Sequence, residues 1–381
     1  MFALLAIAQR RRALPAGAGL GWATSAVIGT RSASAAARRA GGVATMADEA
    51  ALWGDPTTLC TLEELRSARA ALQSYDDVLR TPLLPCWPVG AARISLKLES
   101  LQTTGSFKIR GMRYKLHVSD VARLQCAGVV TLSAGNAGKA VAYLGQACGY
   151  DAKVYMPETA PDARKAMMEA MGATVVKVPG ETLLSAVAEC IAAEHRVLLH
   201  PFDDLELIRG HASCGLEILE DAPTADLIVV CCGGGGLLAG VAAATKLSGS
   251  RARVVGVEPE GAQSMVASLA KGEASWCPDE GKTDTIAHGL APPFAGRACY
   301  AHVRAFVDEV VTVSDEEMRE ATRALYRAGV VAEVSGAAAV AAVLAGKLGE
   351  LRGLHVVCTV SGRNIEPGEY AHALGTGPMA H

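Results

Sequence analysis

Aromatic residues are scarce in this 381-residue chain, at only 4 %, and its formal net charge is just −3. A charge so close to balance excludes the broad basic face that nucleic-acid binding needs. The eleven cysteines are odd in number and no two have CxxC spacing. That argues against a zinc site or a disulfide framework and for a reducing compartment, with the adjacent Cys231 and Cys232 as small core residues. No apolar run approaches the length of a membrane span. The chain also lacks a GxGxxG fingerprint and a lysine after its glycine run, which disfavours an NAD-linked dehydrogenase and a P-loop enzyme. Residues 1–47 contain no Asp or Glu but carry Arg10, Arg11, Arg12, Arg31, Arg38 and Arg39. Such a leader resembles a mitochondrial transit peptide, so residues 1–46 are expected to be a transit peptide or a disordered extension. The location that follows is the mitochondrial matrix, or the cytoplasm if synthesis starts at Met46.

Half of the residues are hydrophobic and 40 are glycine. This composition suits an α/β protein with close helix-on-sheet packing and argues against disorder. Apolar runs at Val129–Ser133, Asp151–Pro157 and Ala173–Val178 alternate with helical spacing that follows Ala134–Gly138 to about Cys148, and then at 163–171 and about 183–194. A second series runs through Leu227–Cys232, Val254–Val257 and Val356–Val360. Alternation at this spacing predicts parallel βαβ units. Thr61 is a plausible N-cap for a helix ending near Leu72, Thr81–Pro85 reads as extended, and 271–284 reads as a surface loop.

Lys108 organises the chemistry. Ile94, Leu96 and Leu98 alternate with Ser95 and Lys97 as in a half-buried strand. Thr103–Ser106 then supply turn and N-cap chemistry, which puts Lys108 in the first turn of a helix. A lysine there, near the positive helix end and poorly solvated, has a depressed pKa and can form a Schiff base with an aldehyde. Taken alone it reads better as a solvated surface lysine at a helix start, and the rest of the chain has to overturn that. Gly233–Gly236 stands directly between a buried strand and a helix and can turn several N–H groups onto one anion, a monophosphate rather than a triphosphate. Ser133-Ala-Gly-Asn136-Ala-Gly138 is a second strand-to-helix turn, able to hold a carboxylate and to reach a phenolic oxygen with Asn136, although Ser and Asn are also ordinary N-caps. Ser361-Gly-Arg-Asn364 carries the same ambiguity. Glu333 is placed at a helix start as a first-turn acid, and His211 as a helix N-terminal residue.

Phosphate, a reactive lysine and a carboxylate site together point to pyridoxal 5′-phosphate. The segments Gly105–Gly111, Ser133–Gly138, Pro201–Asp204, Gly210–Ser213, Gly233–Gly240, Val257–Pro259, Thr285–Ala287 and Ser361–Asn364 resemble, in order, the fold-type II serine/threonine dehydratase and serine racemase family. The resemblance spans roughly residues 55–370 and implies a tryptophan synthase β-like α/β fold with two parallel-sheet domains and the cofactor between them. Residues 47–127 and 205–370 would form the large domain, 128–204 the small one, and 371–381 a tail. Lys108 would hold the cofactor covalently and afterwards take the substrate Cα proton, with Phe107 beside the ring. Gly233, Gly234, Gly235, Gly236 and the Leu237 amide would bind the phosphate, Asn136 the ring 3′-oxygen, and Ser361 the pyridine nitrogen. Ser133, Gly135 and Ala137 would line the substrate carboxylate site.

The resemblance further implies an L-serine/L-threonine ammonia-lyase giving pyruvate or 2-oxobutyrate. The racemase branch has a second serine where this chain has Ala134, and a methyl group cannot donate a proton. Serine racemase and 3-hydroxyaspartate dehydratase are the alternatives within the family, and a catalytically weak cofactor-binding protein is the alternative outside it. Family members hold a cation near Glu258 and the Ala262 carbonyl. Ser264 replaces a carboxylate there, which favours a monovalent ion such as potassium, or a solvated Glu258 with no ion. Arg363 replaces a usual glycine and would either attract an acidic substrate or face solvent. No regulatory domain follows residue 381, so feedback inhibition is expected to be absent. The implied assembly is a homodimer, with no nucleic-acid or membrane partner.

Overall fold

Thr61 opens helix α1 (Leu62–Leu72) through a reciprocal cap: its hydroxyl accepts the Glu64 N–H, and the Glu64 carboxylate accepts the Thr61 N–H. The computed structural model describes residues 52–89, 92–278 and 281–375. The leader 1–46 and residues 376–381 of the tail lie outside them. Strand β1 (Leu83–Val89) runs antiparallel to β2 (Ala92–Lys97). Pro85 and Pro88 are tolerated in β1 because it forms the sheet edge.

The half-buried reading of β2 needs correction. Ser95 and Lys97 are as buried as their apolar neighbours, because β2 lies between β1 and β10 (His355–Thr359) with both faces covered. Lys97 stays soluble in this interior by donating to Glu217 Oε2 at 2.6 Å and to the Thr81 carbonyl at 2.7 Å.

Two sheets follow from the βαβ pattern. Helices α2 (Lys108–Val118) and α3 (Val121–Ala127) lead into β3 (Val129–Leu132), α4 (Asn136–Cys148), β4 (Ala152–Pro157), α5 (Asp162–Glu169), β5 (Thr174–Val178), α6 (Leu183–Glu194) and β6 (Val197–Leu198). These strands make a parallel sheet of order β5-β4-β3-β6. Helix α7 (Leu205–Asp221) then leads to β7 (Leu227–Cys231), α8 (Gly236–Leu247), β8 (Arg253–Pro259), α9 (Ser264–Lys271), α10 (Arg297–Phe306), β9 (Glu309–Val313), α11 (Asp315–Arg327) and α12 (Ala338–Leu344), before β10 and α13 (Pro367–Leu374). The second sheet has order β1-β2-β10-β7-β8-β9 and is parallel apart from β1. β7 and β10 are buried at every position, which is why they read in sequence as unbroken apolar runs.

Each sheet has one point where the chain reverses its direction of winding. In the smaller sheet, β3, β4 and β5 progress one way and β6 returns to the other side of β3. In the larger, β7, β8 and β9 progress one way and β10 returns to the other side of β7. Loops leaving the carboxyl ends of strands at such points part to opposite sides and leave a crevice for a ligand. The loops concerned are 133–135 after β3, 199–204 after β6, 232–235 after β7 and 360–366 after β10.

Helix α2 joins the two layers. Ile109, Met112 and Leu116 enter the core beneath the smaller sheet with Ala140, Val141, Leu144 and Val154. Its Arg110 instead enters a buried charge cluster with Glu99 and Glu217. Segment 271–284 is not simply a surface loop: Cys277 is buried, and Trp276 forms an antiparallel bridge with Phe294. Residue 371, where the tail was expected to start, lies within α13, whose Ala373 is buried. Cys60, Cys126, Cys148, Cys190, Cys214, Cys231, Cys232, Cys277, Cys299 and Cys358 are free thiols, and no helix among the described residues is long and apolar enough to cross a membrane.

Candidate active site

Three helices begin at the crevice, and none has a side-chain cap: α2 after Phe107, α4 after Gly135 and α8 after Gly235. Their leading N–H groups carry the positive ends of three helix dipoles, a setting for anions. The expectation that Thr103–Ser106 cap α2 fails. The Ser106 hydroxyl is buried without a partner, and the N-cap position belongs to Phe107.

What fixes the start of α2 is a strap to the loop after β10. Phe107 N–H donates to the Ser361 carbonyl at 3.1 Å and Arg363 N–H to the Gly105 carbonyl at 2.9 Å. Ser106 and Gly362 form an antiparallel bridge, and Asn364 Nδ2 donates to the Thr104 carbonyl at 2.8 Å. Gly105 has φ +78°, and a Cβ there would stand 2.4 Å from Asn364 Oδ1, so both the turn and the strap require glycine.

Lys108 is the first residue of α2 and is half-buried, not a solvated lysine. Its Nζ donates to the Pro201 carbonyl at 2.7 Å and lies 4.8 Å from the centre of the Phe107 ring. Burial lowers the amine to about 8, against the opposing pull of Cys299, Cys231 and Glu333. A neutral amine is therefore accessible near physiological pH, and its principal cause is desolvation.

The glycine loop closes the opposite wall. Gly235 has φ +99°, and a Cβ there would meet Met265 Cε at 2.7 Å and Cys299 Cβ at 2.9 Å. At Gly234 a Cβ would strike the Phe202 ring at 2.2 Å. Gly233 and Gly236 complete the turn into α8, with Leu237 in its first turn. Ser361 is buried next to Cys231, whose thiol burial pushes up to about 11.

On the third wall, Ser133 Oγ accepts the Gly135 N–H at 3.1 Å and Ala137 is buried in the first turn of α4. A Cβ at Gly135 would meet no protein atom, so the space beside it is left clear. Asn136 is held from two sides: its Nδ2 donates to Glu333 Oε1 at 2.6 Å and its Oδ1 accepts from Asn364 Nδ2 at 2.7 Å. Lys139 Nζ continues the chain to Asn364 Oδ1 at 2.6 Å. These bonds fix which way the Asn136 amide faces and leave one of its protons free.

Three sequence assignments change here. Glu333 does not act as a first-turn acid: it makes no helix cap, and its carboxyl turns to Asn136, where burial pushes it up to about 7. Sequence reading missed Glu333, Cys231 and Cys299 as site neighbours, since only the tertiary fold brings them together. His211 lies inside α7, not at its N-terminus, with its ring against Phe107. Glu258 is not solvated. It is buried at the end of β8 and accepts from Met265 N–H at 2.8 Å, Val266 N–H at 2.9 Å and Ser264 Oγ at 3.3 Å, and burial pushes its carboxyl up to about 7. Ala262 is buried in the turn that follows β8. The Glu258–Ala262 pair thus lies at the end of β8 against Met265, whose side chain also borders Gly235. Arg363 is exposed.

Comparison with known proteins agrees with this geometry. The model of the pyridoxal-phosphate dependent enzyme family matches residues 75–362. The L-threonine ammonia-lyase of Thermotoga maritima is 39 % identical over 81 % of this chain and 76 % of its own length. The phenylserine dehydratase of Ralstonia pickettii is 37 % identical over 85 % of this chain and 99 % of its own. Among solved structures, maize serine racemase superposes with a TM-score of 0.76 at 30 % identity, covering 84 % of this chain and 98 % of that one. By its fold, its lysine-centred crevice and these matches, the chain belongs to the pyridoxal-phosphate dependent enzymes of fold type II.

Proposed function

We propose that the protein is an ammonia-lyase that eliminates water from L-serine and L-threonine and releases ammonia, giving pyruvate and 2-oxobutyrate. The observation that carries this reading is the meeting of Lys108 with the uncapped starts of α4 and α8 where both sheets reverse their winding. When bound, pyridoxal 5′-phosphate supplies an electron sink for the charge that develops at the substrate Cα.

The chain's own groups divide the remaining work. Gly233, Gly234, Gly235, Gly236 and the Leu237 amide would hold the phosphate at the start of α8. Phe107 would flank the ring, and the free Asn136 amide proton would meet its 3′-oxygen. Ser361 would face the pyridine nitrogen with a neutral hydroxyl, which stabilises positive charge there far less than a carboxylate would. That restraint suits prompt loss of a β-hydroxyl over prolonged charge delocalisation. Ser133, Gly135 and Ala137 would orient the substrate carboxylate at the start of α4. Lys108 Nζ, poised near neutrality, would take the Cα proton from one side.

Ala134 is half-buried in the same loop and offers no proton from its methyl group. This favours elimination over racemisation, while the likeness to maize serine racemase keeps racemisation as the second reading. The Thermotoga relative supports threonine as a substrate, and the Ralstonia relative supports a β-hydroxy amino acid with a larger substituent.

The test is 2-oxo acid release from a panel of L- and D-β-hydroxy amino acids. Release from L-threonine or L-serine is expected, with racemase activity rising about tenfold or more in Ala134→Ser. Exchange of the Cα proton without oxo acid would replace this reading by a racemase. Silence on every substrate despite bound cofactor would leave a binding protein.

Both Glu258 oxygens already accept backbone N–H groups, and no cluster of three His, Cys, Asp or Glu side chains is placed to hold a metal among the described residues. We infer a monovalent ion such as potassium at Glu258 and the Ala262 carbonyl in place of a divalent one. Exchanging potassium for a bulky organic cation is expected to lower the thermal midpoint, and an unchanged midpoint would contradict the assignment. The acid-free leader supports a mitochondrial address, with the cytoplasm as the alternative, and a homodimer is the assembly that family resemblance implies.

A further inference from the structure

His211 is completely buried in the middle of α7, and neither Nδ1 nor Nε2 has a hydrogen-bond partner in the protein. A neutral imidazole has one N–H donor and one acceptor, and leaving both dry in a core is costly enough that such cases call for a missing partner. Burial, Lys108 and Arg110 together keep this ring neutral.

The ring is wedged between the two elements that build the crevice. It meets the Phe107 ring edge-on, at 4.9 Å between centres and 67° between planes. A Cβ at Gly111 would stand 2.5 Å from its Cε1 and 2.7 Å from its Nε2, so α2 needs glycine there to admit it. A Cβ at Gly236, the first residue of α8, would stand 3.5 Å from its Cδ2. One edge of the imidazole therefore reaches the back of the phosphate loop. The ring atom nearest to that Cβ position is a carbon, with Nε2 one bond further on, and the Phe202 carbonyl oxygen stands 3.1 Å from the same position. That offset suits a single water bridging the nitrogen and an anion in the loop.

We propose that His211 is a positioning residue for the cofactor phosphate, its ring N–H donating through one bound water to a phosphate oxygen behind Gly233–Gly236. This rests on the reading of that loop as the phosphate site. It gives one of the two ring nitrogens its missing partner and ties the phosphate to the first turn of α2, where Lys108 stands.

The experiment compares pyridoxal 5′-phosphate with pyridoxal, which has the same ring and aldehyde but no phosphate, for binding to the full-length apoprotein. His211→Leu is expected to weaken pyridoxal phosphate binding about tenfold and pyridoxal binding less than about twofold. His211→Gln, which keeps a donor, is expected to recover most of the loss. In the wild-type protein labelled with ¹⁵N-histidine, the His211 ring signals are expected to move on adding pyridoxal phosphate and to stay in place with pyridoxal. Equal losses for both ligands in His211→Leu would show a packing role and overturn the proposal. Unmoved ring signals in the wild type would overturn it even if the leucine variant failed to fold. Equal wild-type affinity for pyridoxal and its phosphate would instead overturn the phosphate reading of the loop.

Discussion

Replacing Lys108 by alanine will lower 2-oxo acid release from L-threonine by at least about 10³-fold while leaving the fold intact. The size of the loss follows from geometry. Lys108 Nζ is the amine at the junction of the glycine loop, the Asn136 loop and Ser361, and burial has already brought it down to about 8. At pH 7.5 an amine with that value is roughly one-quarter neutral, whereas an ordinary lysine is about 0.1 % neutral. The small structural cost follows from the same contacts. The Lys108 amine makes one hydrogen bond, to the Pro201 carbonyl, and takes no part in the buried charge cluster of its own helix. Lys108→Arg is expected to fail as completely as alanine, because a guanidinium stays charged throughout the accessible pH range. Steady-state rates alongside thermal unfolding would test this. A variant that retains a tenth of the wild-type rate would remove Lys108 from the chemistry.

The largest expected loss of stability lies two residues further along the same helix. Arg110 donates through Nε and Nη2 to the two oxygens of Glu99, at 2.7 and 2.8 Å, and through Nη1 and Nη2 to the two oxygens of Glu217, both at 2.8 Å. Ser213 Oγ and the Leu79 carbonyl take further bonds. Lys97 joins through Glu217, so two cations balance two carboxylates away from water. Arg110→Ala would leave Glu99 and Glu217 short of a cation in the interior, and removing one member of such a cluster costs about 3–5 kcal/mol. Arg110→Lys would recover only part, since an ammonium cannot serve two carboxylates with paired bonds. Urea unfolding of the apoprotein at neutral pH would measure it. A loss below about 1 kcal/mol would mean that water or rearrangement replaces the guanidinium. Because α2 carries both residues, a destabilised Arg110 variant should also bind the cofactor more weakly.

How much of this was legible in the sequence depends on the range over which each signal acts. The alternation of strands and helices, Thr61 as a cap, the first-turn place of Lys108 and the glycine loop between β7 and α8 are set within a few residues, and they read correctly. Ser95 and Lys97 misled because alternation reports one covered face, whereas β2 is covered on both by strands and helices distant in the chain. Thr103–Ser106 form the expected turn but misled as caps, because those residues serve the strap to 361–364, a pairing across more than 250 positions that leaves no local pattern. Glu333 and His211 each resembled ordinary helix-end residues. Their roles come from Asn136 and from Phe107, Gly111 and Gly236, which only the tertiary fold delivers. Gly111 and Gly236 were visible as glycines, but nothing in the sequence shows that a buried imidazole is the reason for them.

The central claim is that the crevice between the two sheets holds the cofactor on one particular lysine. It is tested most directly by reducing the full-length protein with borohydride in the presence of pyridoxal 5′-phosphate, digesting it and mapping the modified peptide by mass spectrometry. The mass of the reduced cofactor is expected on Lys108 at near one equivalent per chain. Label spread over surface lysines, or concentrated on Lys97 or Lys139, would contradict the account.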